Sequence, residues 1–257
     1  MLMNNELMND NDNGLLLICQ GTTDIINQFG LIKYYCQLYK KLYIFSLPIH
    51  KDLLTFYLKY ENVEIIYFDN EYNIKEKLFS YVKKNYKYLL TNDFLFHGWY
   101  DIDRNDKYKN KFEGNMIRDS SNFVNMFYSS YDIDICIRID YFIFDRDYEL
   151  ENKTYDAFVS KNTNKYILYH NNANNILVQN NYKYVNLNQS SETFFDYIKI
   201  LENAHEIHII DSCWAAFVYL LDCKYRLFKD KRIYLYPLRN YKKMFQDPVQ
   251  LDNWVFM

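Results

Sequence analysis

Short continuous apolar runs alternate along this chain with stretches whose apolar residues recur every three or four positions. The first pattern is that of buried parallel strands, the second that of helices laid over them. Gly14 opens the run Leu15-Leu16-Leu17-Ile18-Cys19, which reads as a central strand. Behind it Ile25, Phe29, Ile32, Cys36 and Tyr39 stand four, three, four and three residues apart, predicting a helix over 25–39. Further strands are predicted at 41–47 and 63–68, with helices at 53–60 and 74–84. The middle is less regular: either 88–90 or 94–96 makes a strand, with His97-Gly98-Trp99-Tyr100 as a loop at its end. Residues 101–111 mix both charge signs as a solvated loop does, 122–130 is helical in spacing, and 131–140 alternates. A helix is expected across 148–160.

A second rhythm of the same kind begins at Lys165, with strands at 166–169, 184–187, 206–210 and 232–236. Phe194, Tyr197, Ile198, Leu201 and Ala204 mark one helix face, and the apolar run 215–221 marks another helix. Residues 240–257 read as a polar-aromatic tail. Strand and helix alternating twice over predict an α/β protein of two Rossmann-like, doubly wound domains. The expected division is a tail at 1–13, an N-terminal domain at 14–146, a linker helix region at 147–162 and a C-terminal domain at 163–257.

Composition narrows the function classes. With 257 residues, 49% of them hydrophobic, the chain can bury a sizeable core. A formal charge of −3 argues against a protein that wraps nucleic acid by net charge. The five cysteines form no C-x-x-C pair and are odd in number, so a reducing compartment is the simplest expectation. Residues 1–14 lack the basic-then-apolar pattern of a secretory signal, and the longest apolar runs are too short to span a bilayer. A soluble cytoplasmic protein of undetermined oligomeric state is expected.

The chemistry concentrates at polar breaks after strands. Asp211-Ser212 follows the β-branched run 206–210 and opens an apolar helix. Free backbone N–H groups and the positive dipole end make such a helix start an anion site, above all for phosphate. In open α/β sheets ligands lie at that carboxyl edge. The alternative is that Asp211 or Ser212 does no more than cap its own helix. Gly21-Thr22-Thr23-Asp24 forms the corresponding break after the first strand, and Asp24 is likewise open to a capping role. His97, beside Trp99 and Tyr100, is a candidate proton acceptor or a packing residue. Cys213 at a helix start has low-pKa potential but no histidine placed beside it in sequence.

Metal and methyl-transfer chemistry find less support. His205 and His208, three apart about a strand, point to opposite faces, and no H-E-x-x-H or Cys/His cluster is present. Asp101-Ile102-Asp103 and Asp145-Arg146-Asp147 have D-x-D form but lie in charged segments that read as solvated turns. A Rossmann methyltransferase needs a glycine-rich first turn and an acidic end to strand two. Here 20–24 holds one glycine and strand two ends in Ser46-Leu47-Pro48.

Four segments carry a family resemblance: Gly21-Thr22-Thr23-Asp24; "NFVNMFYSSYDI…RIDYFIFDRD" over 122–147; "YILYHNN" over 166–172; and "LENAHEIHIIDSCWA" over 201–215. On these the chain resembles glycosyltransferases of the B fold (GT-B), most like the heptosyltransferase-like group and related small transferases of bacteria and large DNA viruses. The resemblance implies two Rossmann-like domains facing a cleft, the N-terminal one for acceptor and the C-terminal one for donor nucleotide. It implies inverting transfer of a sugar from a nucleotide-sugar donor to a saccharide or glycan acceptor, with no metal and no cofactor beyond the donor. Asp24 matches the family's catalytic carboxylate, with His97 as an alternative base. Gly21, Thr22 and Thr23 form the neighbouring binding turn, where Thr23 departs from the second glycine of the family's Gly-x-Gly-Asp. On the donor side, the Ser212 hydroxyl and the N–H groups of Cys213 and Trp214 would face the diphosphate, with Asp211 capping or holding a neighbour. His170 and Asn171 would contact nucleotide or ribose, and Arg239 would supply a cation. The competing reading is a GT-B-like nucleotide- or glycan-binding protein without catalysis.

Overall fold

The computed structural model describes residues 13–18, 21–59, 61–68, 75–89, 94–98, 124, 127–128, 133–170, 182–187, 194–236 and 251–257. The chain divides into two compact units, Met1–Tyr141 and Phe142–Met257.

The first unit holds a parallel sheet of β1 (Asn13–Ile18), β2 (Lys41–Ser46), β3 (Val63–Tyr67) and β4 (Phe94–Gly98), in the order β3-β2-β1-β4. β1 pairs on both edges, and Leu15 to Ile18 are at most 1% exposed, as expected of an apolar run between two covered faces. Of the two middle strands open in the sequence, 94–98 is the one that forms, and Lys87–Leu89 is a 3-10 turn. His97 therefore lies within a strand rather than in a loop.

The helix expected over 25–39 starts earlier and is broken. α1 (Thr22–Asn27) and α2 (Phe29–Leu38) meet at Gln28, whose backbone N–H and side-chain Nε2 both donate to the Asp24 carbonyl. The bend keeps Ile25, Phe29 and Ile32 buried, so the apolar period survives it. α3 (Lys51–Tyr57), α4 (Lys75–Asn85) and α5 (Ile137–Asp140) complete the described helices of this unit. Thus 137–140, the end of the alternating stretch, is helical.

The second unit begins with α6 (Tyr148–Lys161), capped by Asp147 Oδ1, which accepts from Leu150 N–H at 3.0 Å. Its parallel sheet comprises β5 (Tyr166–Tyr169), β6 (Lys183–Asn186), β7 (Glu206–Ile210), β8 (Arg232–Tyr236) and β9 (Trp254–Phe256), in the order β6-β5-β7-β8-β9. α7 (Ile198–Asn203) precedes β7 and α8 (Cys213–Tyr225) follows it. Residues Cys213 to Asp222 of α8 are all buried, as in a helix that is apolar all round. The segment expected as a linker belongs to this unit by its contacts. Arg146 bridges buried Glu151 of α6 to Glu202 of α7, holding Glu202 Oε1 at 2.7 Å.

β9 falls in what read as a tail. A fully buried carboxylate, Asp222, draws it in by accepting from Asn253 Nδ2 and Trp254 Nε1, each at 2.9 Å. That pairing joins positions 31 and 32 residues apart, beyond the reach of any local pattern. Among the described residues no helix is long and apolar enough to cross a membrane.

Candidate functional site

In open parallel sheets the crevice opens at the carboxyl edge where strand order reverses. The reversal lies between β5 and β7 in the second unit and between β1 and β4 in the first. Both places coincide with polar breaks singled out in the sequence.

At the β5–β7 reversal, His170 follows the last residue of β5 and Asp211-Ser212 follows β7. Ser212, not Asp211, is the cap of α8: its Oγ accepts from Ala215 N–H at 3.5 Å and its carbonyl from Ala216 N–H at 3.1 Å. The same Oγ lies 3.1 Å from His170 Nδ1. His170 is 2% exposed, and burial lowers its pKa, so the imidazole is neutral at pH 7. When Nδ1–H donates to Oγ, the serine proton is left for a bound acceptor such as a phosphate oxygen. His170 is fixed by its backbone N–H, which donates to the His208 carbonyl at 2.9 Å. Ser212 and His170, 42 positions apart in sequence, thus form one polar contact at the mouth of a thirteen-residue helix.

Cys213 and Trp214 turn their side chains inward, at 8% and 1% exposure. The Trp214 ring packs 4.6 Å from Phe194 and 5.6 Å from Tyr197. Burial pushes the Cys213 thiol up, against the pull of nearby backbone N–H groups, so the low-pKa potential of this cysteine is not realised. What these two residues offer a ligand is backbone N–H at the first turn of α8.

Behind the turn stands a network that the sequence reading passed over. His208 Nδ1 lies 2.9 Å from the Tyr236 hydroxyl, and its Nε2 lies 3.2 Å from Glu206 Oε2. Its ring stacks on Tyr234 at 4.5 Å. Burial lowers the His208 pKa, and Glu206 opposes that shift. The alternation Glu206-x-His208 puts both side chains on one sheet face, a signal present in the sequence. Tyr236 could be placed there only once β8 was known to pair with β7. His205 lies before β7 and stacks on Tyr182 at 4.1 Å, so the two histidines have separate surroundings.

At the β1–β4 reversal, Gly21 is the cap of α1, with no side-chain hydrogen bond, and its carbonyl accepts from Asp24 N–H at 3.0 Å. Asp24 is therefore the third residue of the first turn, half-buried, where a carboxylate favours the helix dipole without capping it. A Cβ added to Gly21 would meet nothing within 4 Å among the described residues. Thr22 and Thr23 are half-buried beside it. In register, His97 of β4 pairs with Leu16 and Gly98 with Leu17, which puts both at the strand end nearest this turn.

The His97 side chain, Asn171, Arg239 and the pair Asp101 and Asp103 lie outside the described residues. Of the other D-x-D pair, Asp147 is consumed as the cap of α6. Among the described residues no three His, Cys, Asp or Glu side chains gather as a metal site.

No protein-family model matches this chain, and no curated protein matches it in sequence. Among solved structures it is similar to a glycosyl transferase family 9 protein from Veillonella parvula. The TM-score is 0.64 at 6% identity, over 97% of this chain and 87% of that one. It also aligns with the E. coli heptosyltransferase WaaC with ADP, at TM-score 0.37 and 10% identity over 87% and 86% of the two chains. The first likeness shows a shared fold: this chain has the Rossmann-like α/β fold of that glycosyl transferase.

Proposed function

We propose that this chain is a glycosyltransferase that moves a sugar from a nucleotide-sugar donor to a saccharide or glycan acceptor, with inversion and without a metal. The observation that carries the reading is the Ser212–His170 contact at 3.1 Å at the mouth of α8, at the reversal of the second sheet. A helix start with a serine hydroxyl and a neutral histidine behind it suits a diphosphate, whose charge grows as it leaves. The fold shared with a family 9 glycosyl transferase supports the same class of reaction. In this reading the units are the halves of a GT-B pair, the N-terminal one taking the acceptor and the C-terminal one the donor.

Asp24 takes the proton from the acceptor hydroxyl. That oxygen attacks the anomeric carbon from the face opposite the diphosphate, and the bond to the leaving oxygen breaks with its electron pair. The hydroxyl of Ser212 and the first N–H groups of α8 hold the departing charge. The same reading assigns Asn171 to the nucleotide or ribose and Arg239 to the phosphate charge, from their places in the sequence.

A panel of nucleotide sugars assayed for donor turnover, with Asp24→Asn and Ser212→Ala alongside, tests this. Turnover is expected with at least one donor, reduced about 100-fold or more by Asp24→Asn. Ser212→Ala is expected to lose about ten- to a hundredfold in affinity for the nucleoside diphosphate, the worth of one charge-assisted hydrogen bond. Stabilisation by a nucleoside diphosphate with no turnover of any donor would replace the enzyme by a binding protein of the same fold. Full activity in Asp24→Asn would move the base elsewhere.

A further inference from the structure

A pocket of about 440 Å³ opens within the second unit between α6, the end of β6 and α7. Its size falls in the range of small-molecule sites, roughly 300–1,000 Å³. The pocket owes its form to one stripe of α6, where 150, 153, 154, 157, 158 and 161 recur at helical spacing and line it. Leu187 and Ile200 are buried at its apolar base, and half-buried Phe158 and Val185 form its sides.

Charge decides what could occupy it. The lining includes Lys153 and Lys161 and, among the described residues, no acidic one. Eight residues apart on one helix, the two lysines stand about 12 Å apart along its axis, one toward each end of the apolar stretch. A third ammonium lies close by, since Lys183 Nζ donates to the Lys161 carbonyl at 3.3 Å. Both lining lysines are exposed, so each can lay its stem along an apolar guest and keep its charge at the rim.

We infer that this pocket binds a small anionic amphiphile: an apolar body lying on Phe158, Val185, Leu187 and Ile200, with a carboxylate or phosphate end met by Lys153 or Lys161. The site is separate in its residues from the Ser212–His170 contact, and the inference stands whether or not the chain transfers sugars. Carboxylate and phosphate ends share the chemistry that the lysines recognise, and the probes below distinguish them.

Calorimetric titration of the full chain with octanoate, octyl phosphate and octanol tests it. Saturable binding of at least one anionic probe is expected, with octanol about tenfold weaker or more, the worth of one or two partly exposed ion pairs. Whichever anionic probe binds more tightly identifies the head group. Lys153→Glu with Lys161→Glu is expected to weaken the anionic probes by about tenfold or more, by replacing attraction with repulsion. Ala157→Trp, at an exposed position on the pocket wall, fills the space and is expected to remove binding while leaving both lysines in place. Two variants that differ in chemistry guard against a folding defect in either, and thermal melts of both establish that the chain is folded. The inference is overturned by octanol binding as tightly as the anions, by no saturable binding to the wild-type chain, or by anionic binding that neither variant weakens.

Discussion

His50 shows how much a single buried titratable side chain can weigh. It is 1% exposed, its Nδ1 lies 3.0 Å from Ser46 Oγ, and its Nε2 has no hydrogen-bond partner among the described residues. Burial lowers its pKa to about 4, from 6.5 for a histidine in water. The unfolded chain therefore binds more protons than the folded one between those values. The contribution of His50 is complete above pH 6.5, falls as the pH drops toward 4, and is gone below. Integrated from pH 7.5 to 4.5 it amounts to about 2–3 kcal/mol. Urea unfolding at the two pH values is expected to show a smaller difference for His50→Gln than for wild type, by roughly that amount. Equal differences would place the acid sensitivity in other groups. Gly30 offers a second case, in which two effects compete. Alanine would favour α2 by about 1 kcal/mol in helix propensity. Its Cβ, however, would press on the Ile137 and Arg138 carbonyl oxygens, backbone atoms of α5 that have no rotamer to yield. Overpacking of this kind costs about 1–3 kcal/mol, so Gly30→Ala is expected to lower stability, read as a reduced urea midpoint with unchanged slope.

Elements in this protein are held by polar groups that arrive from distant sequence. The carboxyl end of α7 is closed by Lys231, whose ammonium donates to the carbonyls of Leu201 at 3.2 Å, Glu202 at 2.5 Å and Ala204 at 2.9 Å. A cation there also complements the helix dipole. Lys231→Met keeps most of the apolar stem and strips the donors, and is expected to cost about 1–3 kcal/mol in chemical denaturation. A loss near zero would mean that water satisfies the three carbonyls unaided. Asp222 plays the same part for β9, and it explains why a segment with no strand pattern of its own adds to the sheet. Its Oδ2 accepts from Asn253 Nδ2 and Trp254 Nε1, at and just before the start of that strand, while its Oδ1 accepts from Phe228 N–H at 3.2 Å. Asp222→Ala is expected to cost about 2–4 kcal/mol, since it leaves buried donors unpaired, and to raise hydrogen exchange in β9 before the rest of the sheet.

On the scale of the whole molecule, each unit carries its own parallel sheet and its own helices. The fragment 142–257 is therefore expected to unfold in one cooperative transition on its own and to be stabilised by a nucleoside diphosphate. At a ligand concentration about a hundredfold above Kd, linkage gives about 2.7 kcal/mol, several degrees of Tm in a domain of this size. A fragment that melts without cooperativity would show that the division is not one of stability.

Much of the architecture was legible because parallel strands must be apolar on both faces, and helices over them on one. The runs at 15–18, 206–210 and 232–236 announced themselves in that way. The polar breaks at Gly21–Asp24 and at Asp211-Ser212 were legible too, since a strand cannot run on into a helix without one. Less legible were features set by groups far apart in sequence. The choice of Ser212 over Asp211 as cap depends on local backbone geometry, and the His170 contact depends on β5 pairing with β7. The Glu206–His208–Tyr236 network and the lysine-rimmed pocket needed β8 beside β7 and α6 beside β6 before their members could meet. By itself the sequence determined which segments would be strand or helix and where polar chemistry would interrupt them, because both follow from periodicities of two to four residues. Only the tertiary structure decided which interruptions stand together, because strand order is a choice among long-range pairings that no short period encodes.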